Sequence, residues 1–293
     1  MSGFPQRSEG TSFVTLIDSL EAAAKKLAAI HDTGRLDAEV LLAFVLEKPR
    51  HYAYAFSEHS LSVAQADTFR NLVARRAAGE PIAYITGERE FWSMSLQVTS
   101  DTLIPRPETE RLVELALQVI PTGGQVRIAD LGTGTGAIAL ALAHEREQCT
   151  IVATDFNESI LEVARNNALR HGISNVEFRL GSWFEPIYGD SFELIVCNPP
   201  YVRADDSHLN QGDVRFEPRT ALIGGSDGLD DIRRICEGAK HCLVPNGHLL
   251  IEHGARQKKA VRSLMVANGY NDIDQFQDYA QLDRITQGRP TAK

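Results

Sequence analysis

Residues 129–143 read ADLGTGTGAIALALA: an apolar run closing on an acid, three glycines at alternate positions, then a stretch of small apolar residues. Gly132, Gly134 and Gly136 let the backbone turn tightly and pass close to a ligand, and the helix that follows offers unpaired N–H groups at its start. Strand, glycine turn and helix in that order predict a nucleotide-like ligand. Its chemistry stays open at this point, because Gly132, Gly134 and Ala137 also satisfy the dinucleotide pattern G-x-G-x-x-[GA], with Asp155 about 20 residues on, where a ribose-binding acid would sit in either case.

Around that turn the chain alternates. VRIADL is followed by the glycine turn and its helix, then TIVATD, the helix SILEVARNNALRHG, NVEFRL, FELIVC, a helix around 229–243, GHLLIEHG and a final helix. Such alternation predicts an α/β fold, an open parallel sheet with helices on both faces, whose ligands lie beyond the carboxyl ends of the strands. Asp155 ends TIVATD, so its carboxylate should emerge at that edge and accept from both ribose hydroxyls. Capping the next helix is the competing use, and Asn157 is better placed for it.

The stretch FELIVCNPPYV, residues 192–202, distinguishes the ligands. Neither Pro199 nor Pro200 donates a backbone N–H, and each holds the preceding residue out of the helical region, so the strand ends in a stiff corner. A dehydrogenase has no evident use for such a corner, whereas methylation of a planar amino nitrogen does. The lone pair of that nitrogen is delocalised, so both N–H bonds must be directed to acceptors while the remaining lobe faces a methyl donor. The side-chain oxygen of Asn198 and the carbonyl of Pro199 are two such acceptors, and Tyr201 can pack against the flat group.

The amino-terminal part is helical in pattern. FVTLIDSLEAAAKKLAAI places Phe13, Leu16, Ile17, Leu20, Ala24, Leu27 and Ala28 on one face. Further helices are expected over DAEVLLAFVLEK and over VAQADTFRNLVARRAAG, the last with Ser62 as cap and Gly79 as stop. PIAYITGEREFWSMSLQV, with Gly87 between two strand-like runs, reads as a hairpin linker. LIPRPETERLVELALQVI then starts a helix at Pro107, with Glu108 and Glu110 at the positive end of its dipole. The resulting division is a flexible start over 1–10, a helical domain over 11–80, a β-hairpin linker over 81–100 and a catalytic domain over 101–293.

Thirty basic against 39 acidic residues give a net charge of -9, which argues against a broad phosphate-gripping surface. The first 100 residues carry 10 basic and 12 acidic side chains, net -2. Cys149, Cys197, Cys236 and Cys242 show no C-x-x-C spacing and no accompanying histidine cluster, so reduced, mostly buried thiols are expected, with no zinc site and no disulfide framework. A polar start, MSGFPQRSEG, and the lack of any apolar run near 18 residues lead to the expectation of a cytoplasmic protein without a membrane partner.

A glycine turn after the first strand, an acid after the second and Asn-Pro-Pro-Tyr after the fourth resemble the Rossmann-like class I S-adenosylmethionine-dependent methyltransferases over residues 100–293. The whole chain after residue 11 resembles the PrmC/HemK family, the release factor glutamine methyltransferases, through GEPIAYITGEREFW (79–92), LIPRPETE (103–110), DLGTGTGAIAL (130–140), NPPY (198–201), EPRTALIGGSDGL (217–229) and EHG (252–254). The resemblance implies a helical amino-terminal domain that recognises substrate. It also implies a catalytic domain that methylates the glutamine of the Gly-Gly-Gln motif in class 1 peptide chain release factors. Carried over, Gly132, Thr133, Gly134, Thr135 and Gly136 would hold the methionine part of S-adenosylmethionine, Asp155 its ribose and Trp183 the region near the adenine. Asn198 would face both donor and substrate, and Asn198, Pro199, Pro200 and Tyr201 would bind the glutamine, with Asn198, Pro199 and Tyr201 as the catalytic set. Arg106 and Glu108 fit a helix start and a cavity wall equally well, Phe91 and Trp92 fit the hairpin core, and the family often has glycine near Gln281, in the last hairpin, where this chain departs from the pattern. No metal, no stable nucleic-acid complex and a monomer are expected. The alternative is an adenine amino-group methyltransferase acting on DNA or RNA through the same corner, which would need to extrude its base and grip phosphates.

Overall fold

The computed structural model describes residues 15–291. The expected flexible segment 1–10 and Phe13 lie outside the described residues. Two compact units divide the chain at Thr86/Gly87.

The first unit is helical: α1 (Leu16–Ala28), α2 (Gly34–Leu46), α3 (Tyr52–Ala55), α4 (Val63–Ala77) and α5 (Ile82–Thr86). Ser62 caps α4 in a capping box with Gln65, and Gly79 follows it at φ 97°, so both sequence punctuators act as read. Leu16, Leu20, Ala24 and Leu27 are buried on α1 as its spacing requires, whereas Ala28 is exposed. One departure concerns PIAYIT. Its residues wind into α5, where the amides of Tyr84 and Ile85 both donate to Pro81 O. A run this short carries no period that separates strand from helical turn.

The second unit begins with a hairpin, β1 (Glu88–Phe91) and β2 (Met94–Gln97). Its turn is Trp92–Ser93, at φ 51° and 58°, the doubly left-handed geometry whose twist suits a two-residue hairpin. The sequence reading put Gly87 there; Gly87 instead joins α5 to β1. Then follow α6 (Glu110–Val119), β3 (Arg127–Leu131), α7 (Ala137–Glu145), β4 (Thr150–Asp155), α8 (Glu158–Arg170), β5 (Val176–Leu180), β6 (Phe192–Cys197), α9 (Asp230–Cys242), β7 (Leu243–Glu252), α10 (Lys258–Ala267), β8 (Tyr270–Gln277) and β9 (Asp283–Pro290).

The seven-stranded sheet has the order β5-β4-β3-β6-β7-β9-β8. From β5 to β7 all neighbours are parallel, while β9 runs antiparallel to both β7 and β8. The parallel sheet expected from the alternation therefore ends at one edge, where α10 is followed by the last hairpin, whose two strands must pair antiparallel. Gln281, in the turn between them, takes φ 61°, a conformation that glycine adopts without strain. From β3 the chain runs outward to β5 and then returns to β6 on the other side of β3. The order reverses there, which is where open sheets of this kind leave a crevice at the carboxyl ends.

Alternation along the strands gives the sheet two apolar faces. Ile128, Ile151, Leu194 and Val196 pack with α6, α7 and the hairpin, while Ala129, Leu131, Ile195 and Ile251 pack with α9 and α10. The fully buried Asn167 on α8 ties hairpin to glycine turn: its Nδ2 donates to Gln97 O (3.1 Å) and Thr135 O (2.9 Å), and its Oδ1 accepts from Gln97 N (2.7 Å). Asn167→Ala leaves those backbone groups without partners, and a loss of about 2 to 3 kcal/mol is expected. Urea unfolding at a single pH checks it, and an unchanged midpoint would show that the hairpin is held by apolar packing alone.

Candidate active site

At the carboxyl edge of the sheet two cavities meet. The larger, about 340 Å³, is lined by Gly132 and Gly134 after β3, Asp155 and Phe156 after β4, Trp183 after β5, and Asn198 and Pro200 after β6. The smaller, about 230 Å³, is lined by Asn198, Pro199 and Tyr201 together with Arg106 and Val214. Leu103, Asn198 and Ala221 border both. Six residues read from sequence as donor or substrate ligands thus share the larger cavity, and Pro199 and Tyr201 stand on the other side of Asn198.

The glycine turn is built from its acid. Asp130, fully buried, accepts through Oδ2 from Thr133 Oγ1 (2.6 Å) and from the amide of Ala139 (3.1 Å), which joins the end of β3 to the first turn of α7. Burial pushes its carboxyl up to about 7, against the pull of those two donors. Gly134, at φ 57°, borders open space: a Cβ there would meet no protein atom within 4 Å, so its backbone is bare to whatever fills the cavity. Thr133 and Thr135 line a narrow extension of about 60 Å³ that also reaches Asn198. Gly136 lines none of these cavities and serves as the residue before α7.

Asp155 ends β4 with only 5% of its surface exposed. Its Oδ2 accepts from the amide of Gly134 at 3.0 Å, so the second strand's acid and the first strand's turn are locked together. Burial raises its pKa, and the amides of Gly134, Asn157 and Phe156 oppose that rise. The helix cap is indeed Asn157, whose Oδ1 accepts from Ser159 N at 3.0 Å. Trp183 takes φ 47°, and its ring lies 3.4 Å from where a Cβ on Gly132 would stand.

Asn198 is oriented from behind. Its Nδ2 donates to Thr109 Oγ1 at 3.1 Å, which leaves Oδ1 as the group with acceptor capacity toward the cavities. The backbone of the corner is clamped by the loop that follows it. Val202 N donates to Leu222 O (2.8 Å), Gly224 N donates to Val202 O (2.9 Å), and Gln257 Nε2 donates to both Tyr201 O (3.0 Å) and Gly228 O (3.1 Å). At Gly228 a Cβ would fall 2.3 Å from Tyr201 O, so only glycine allows the approach. The Tyr201 hydroxyl donates to the buried Glu252 at 3.3 Å. Burial raises the tyrosine's pKa, and the Glu252 charge adds to the effect.

Arg106 lies on the wall of the smaller cavity and is paired with Glu217, whose side chain is wholly buried and also accepts from Ile104 N at 3.2 Å. Glu108 lines neither cavity; Glu110 accepts from the turn amide of Trp92 at 2.9 Å. Phe91 is buried hairpin core, as read, while Trp92 sits partly buried at the turn with its indole N–H on Glu145 (2.8 Å). Sequence reasoning gave no role to Thr109, Glu217 or Glu252. Each lies inside a quoted stretch, but each acts on a residue tens of positions away, so no local spacing announces it. All four cysteines are buried free thiols. Among the described residues no group of His, Cys, Asp or Glu is arranged to hold a metal, and no helix is long and apolar enough to cross a membrane.

S-adenosylmethionine fits what is present. The larger cavity is of small-molecule size, bare backbone at Gly134 lets a ligand approach, Asp155 offers a carboxylate for a diol, and Phe156 and Trp183 give flat apolar surface for a ring.

Comparison with known proteins agrees. Residues 18–87 match the PrmC N-terminal domain and residues 123–285 a methyltransferase domain. The release factor glutamine methyltransferase of Vibrio cholerae is 49% identical over 279 residues, covering 94% of this chain and 97% of that protein. That of Escherichia coli K12 is 46% identical over 270 residues, covering 92% and 97%. Among solved structures, a methyltransferase from Pyrococcus furiosus aligns with a TM-score of 0.53 at 19% identity, over 76% of this chain and 99% of its own, a likeness of fold.

The raised pKa of Asp130 has a consequence for stability. A carboxyl at about 7 in the folded chain and near 3.8 otherwise keeps its proton longer when folded. It supports the fold at low pH, and that support is lost as pH rises from about 4 to 7. Asp130→Asn should therefore lose less stability between pH 5 and pH 8 than the wild type, with Glu252 and Asp155 left to supply the remainder. Urea midpoints at the two pH values check it, and equal losses in both proteins would contradict the assignment.

Proposed function

This chain belongs to the release factor glutamine methyltransferases, and on that basis we propose that Asn198 and Pro199 hold the side-chain amide of a release factor glutamine beside S-adenosylmethionine in the larger cavity. The observation that carries this reading is the position of Asn198, which borders both cavities. The target is the glutamine of the Gly-Gly-Gln motif in class 1 release factors, reached through the smaller cavity. Gly132, Gly134, Asp155 and Trp183 hold the donor, with Thr133 and Thr135 at the narrow end.

When bound, S-adenosylmethionine supplies an electrophilic methyl group on a sulfonium. The chain's part is orientation. A primary amide nitrogen is a poor nucleophile, and its two N–H bonds must lie in the amide plane. Asn198 Oδ1 accepts one and the Pro199 carbonyl the other, so the face of the nitrogen is turned toward the larger cavity. Tyr201, on the wall of the smaller cavity, packs along the amide. Well-oriented reacting pairs gain up to roughly 7 to 11 kcal/mol, which makes placement the main source of acceleration. Forming the new N–C bond would break the methyl–sulfur bond and leave neutral S-adenosylhomocysteine; the nitrogen then carries an extra proton and is a strong acid, so the proton passes to water and no dedicated base is needed.

Asn198→Ala should bind S-adenosylmethionine within about threefold of wild type and lose roughly a hundredfold in turnover. Calorimetry for donor affinity and single-turnover methyl transfer for chemistry separate the two. Near-normal turnover with intact donor binding would refute the assignment of Asn198.

A further inference from the structure

The substrate corner, the loop that follows it and the turn after β7 meet at one side chain, that of Gln257. Its Oε1 accepts from the amide of Gly254 at 2.9 Å, and its Nε2 donates to Tyr201 O at 3.0 Å and to Gly228 O at 3.1 Å. A backbone N–H only donates and a carbonyl only accepts, so the amide has one orientation, and its oxygen and both of its protons are engaged. Gln257 stands directly before α10, where a polar side chain commonly caps the first turn. This one makes no cap bond and reaches back to the corner instead. Two glycines leave room for it: a Cβ on Gly228 would fall 2.8 Å from Nε2, and one on Gly254 3.1 Å from Oε1.

We propose that Gln257 is a positioning residue for methyl transfer, a three-point clamp that holds the two acceptors of the substrate amide in place. Pairing of β6 with β3 and β7 fixes the corner at Cys197. At its other end two prolines make the chain stiff, so where Tyr201 O is held, the Pro199 carbonyl and Asn198 are held with it. The bond to Gly228 O ties in the loop whose Leu209, Val214 and Leu222 wall the smaller cavity. The Gly254 end is itself anchored: the fully buried His253 donates through Nδ1 to Gly254 O at 3.0 Å, and its Nε2 meets Thr286 Oγ1 of β9 at 2.9 Å. Corner and wall are thereby referred to one point on the sheet. The inference rests on Asn198 and Pro199 as the acceptors of the substrate amide.

The test uses the full chain, with labelled methyl transfer to intact release factor at saturating donor, donor affinity by calorimetry and thermal melts to establish folding. Gln257→Met keeps the length of the side chain and removes all three bonds. It should lower kcat about tenfold, with donor affinity within about twofold. Gln257→Glu keeps the contact to Gly254 but turns a second oxygen toward two carbonyls that repel it, and should lower kcat about a hundredfold. The matched control is Asn175, directly before β5, whose Nδ2 donates to Ala143 O, Arg146 O and Cys149 O at the amino end of the sheet. Asn175→Asp should lower the melting temperature and leave kcat unchanged. Should Gln257→Glu fail to fold, Gln257→Met and the control carry the test. Wild-type kcat in Gln257→Met, beside an inactive Asn198→Ala, would overturn the clamp and leave the role of Asn198 standing; activity in Asn198→Ala would overturn both. A kcat loss in Asn175→Asp equal to that in Gln257→Met, or a donor affinity that falls in step with kcat, would assign the effect to general loosening and overturn the clamp.

Discussion

Parallel pairing of β6 with β3 on one side and β7 on the other brings its last residue, Cys197, level with Leu131 and Ile251, so Asn198 leaves the sheet where the strand order reverses. Two prolines then stop the chain from turning back into a helix. A single residue is thereby held at the boundary of two cavities, one bordered by the glycine turn and the acid of β4, the other by Arg106 and the loop beyond Tyr201. The glycine turn needs Asp130 beneath it, and the corner needs Thr109 behind it. Both supports are buried side chains, Asp130 near the end of β3 and Thr109 directly before α6.

The loop over residues 203–229 is the second half of the same construction. It returns to lie against the corner, with Ile223 bridged to Val202 and the glycines at 224 and 228 packed on the backbone of Pro200 and Tyr201. Glu217 fastens it to Ile104 and Arg106 on the segment that leads into α6. A buried carboxylate with an ion-pair partner and a backbone amide is costly to disrupt, since removing either partner strands the charge. The wall of the smaller cavity is thus as fixed as its floor, although it is made of irregular chain.

Much of this was legible in the sequence because the signals were local. Gly132 to Gly136, Asp155, Asn157 and Asn198 to Tyr201 each occupy positions dictated by a strand end or a helix start, and a strand end can be recognised from a few residues. The supports were not legible, because Thr109 acts on Asn198 and Glu252 on Tyr201 across long stretches of chain. PIAYIT winds into a helical turn that six residues are too few to announce, and the alternation of strands and helices does not tell the antiparallel edge from a parallel one, so the last hairpin comes only from the family resemblance. The acceptor was the hardest matter to read. An Asn-Pro-Pro-Tyr corner serves any planar amino nitrogen, and the choice between glutamine and adenine rests on the resemblance of the whole chain, which relatives 46–49% identical along nearly their full length bear out.

The most direct measurement is transfer of labelled methyl from S-adenosylmethionine to purified class 1 release factor, to its Gln→Ala variant at the Gly-Gly-Gln motif, and to DNA and RNA in parallel. The account predicts label on the wild-type release factor alone. Equal label on the variant would place the modified residue elsewhere, and label on nucleic acid would contradict the glutamine reading while leaving the donor cavity intact.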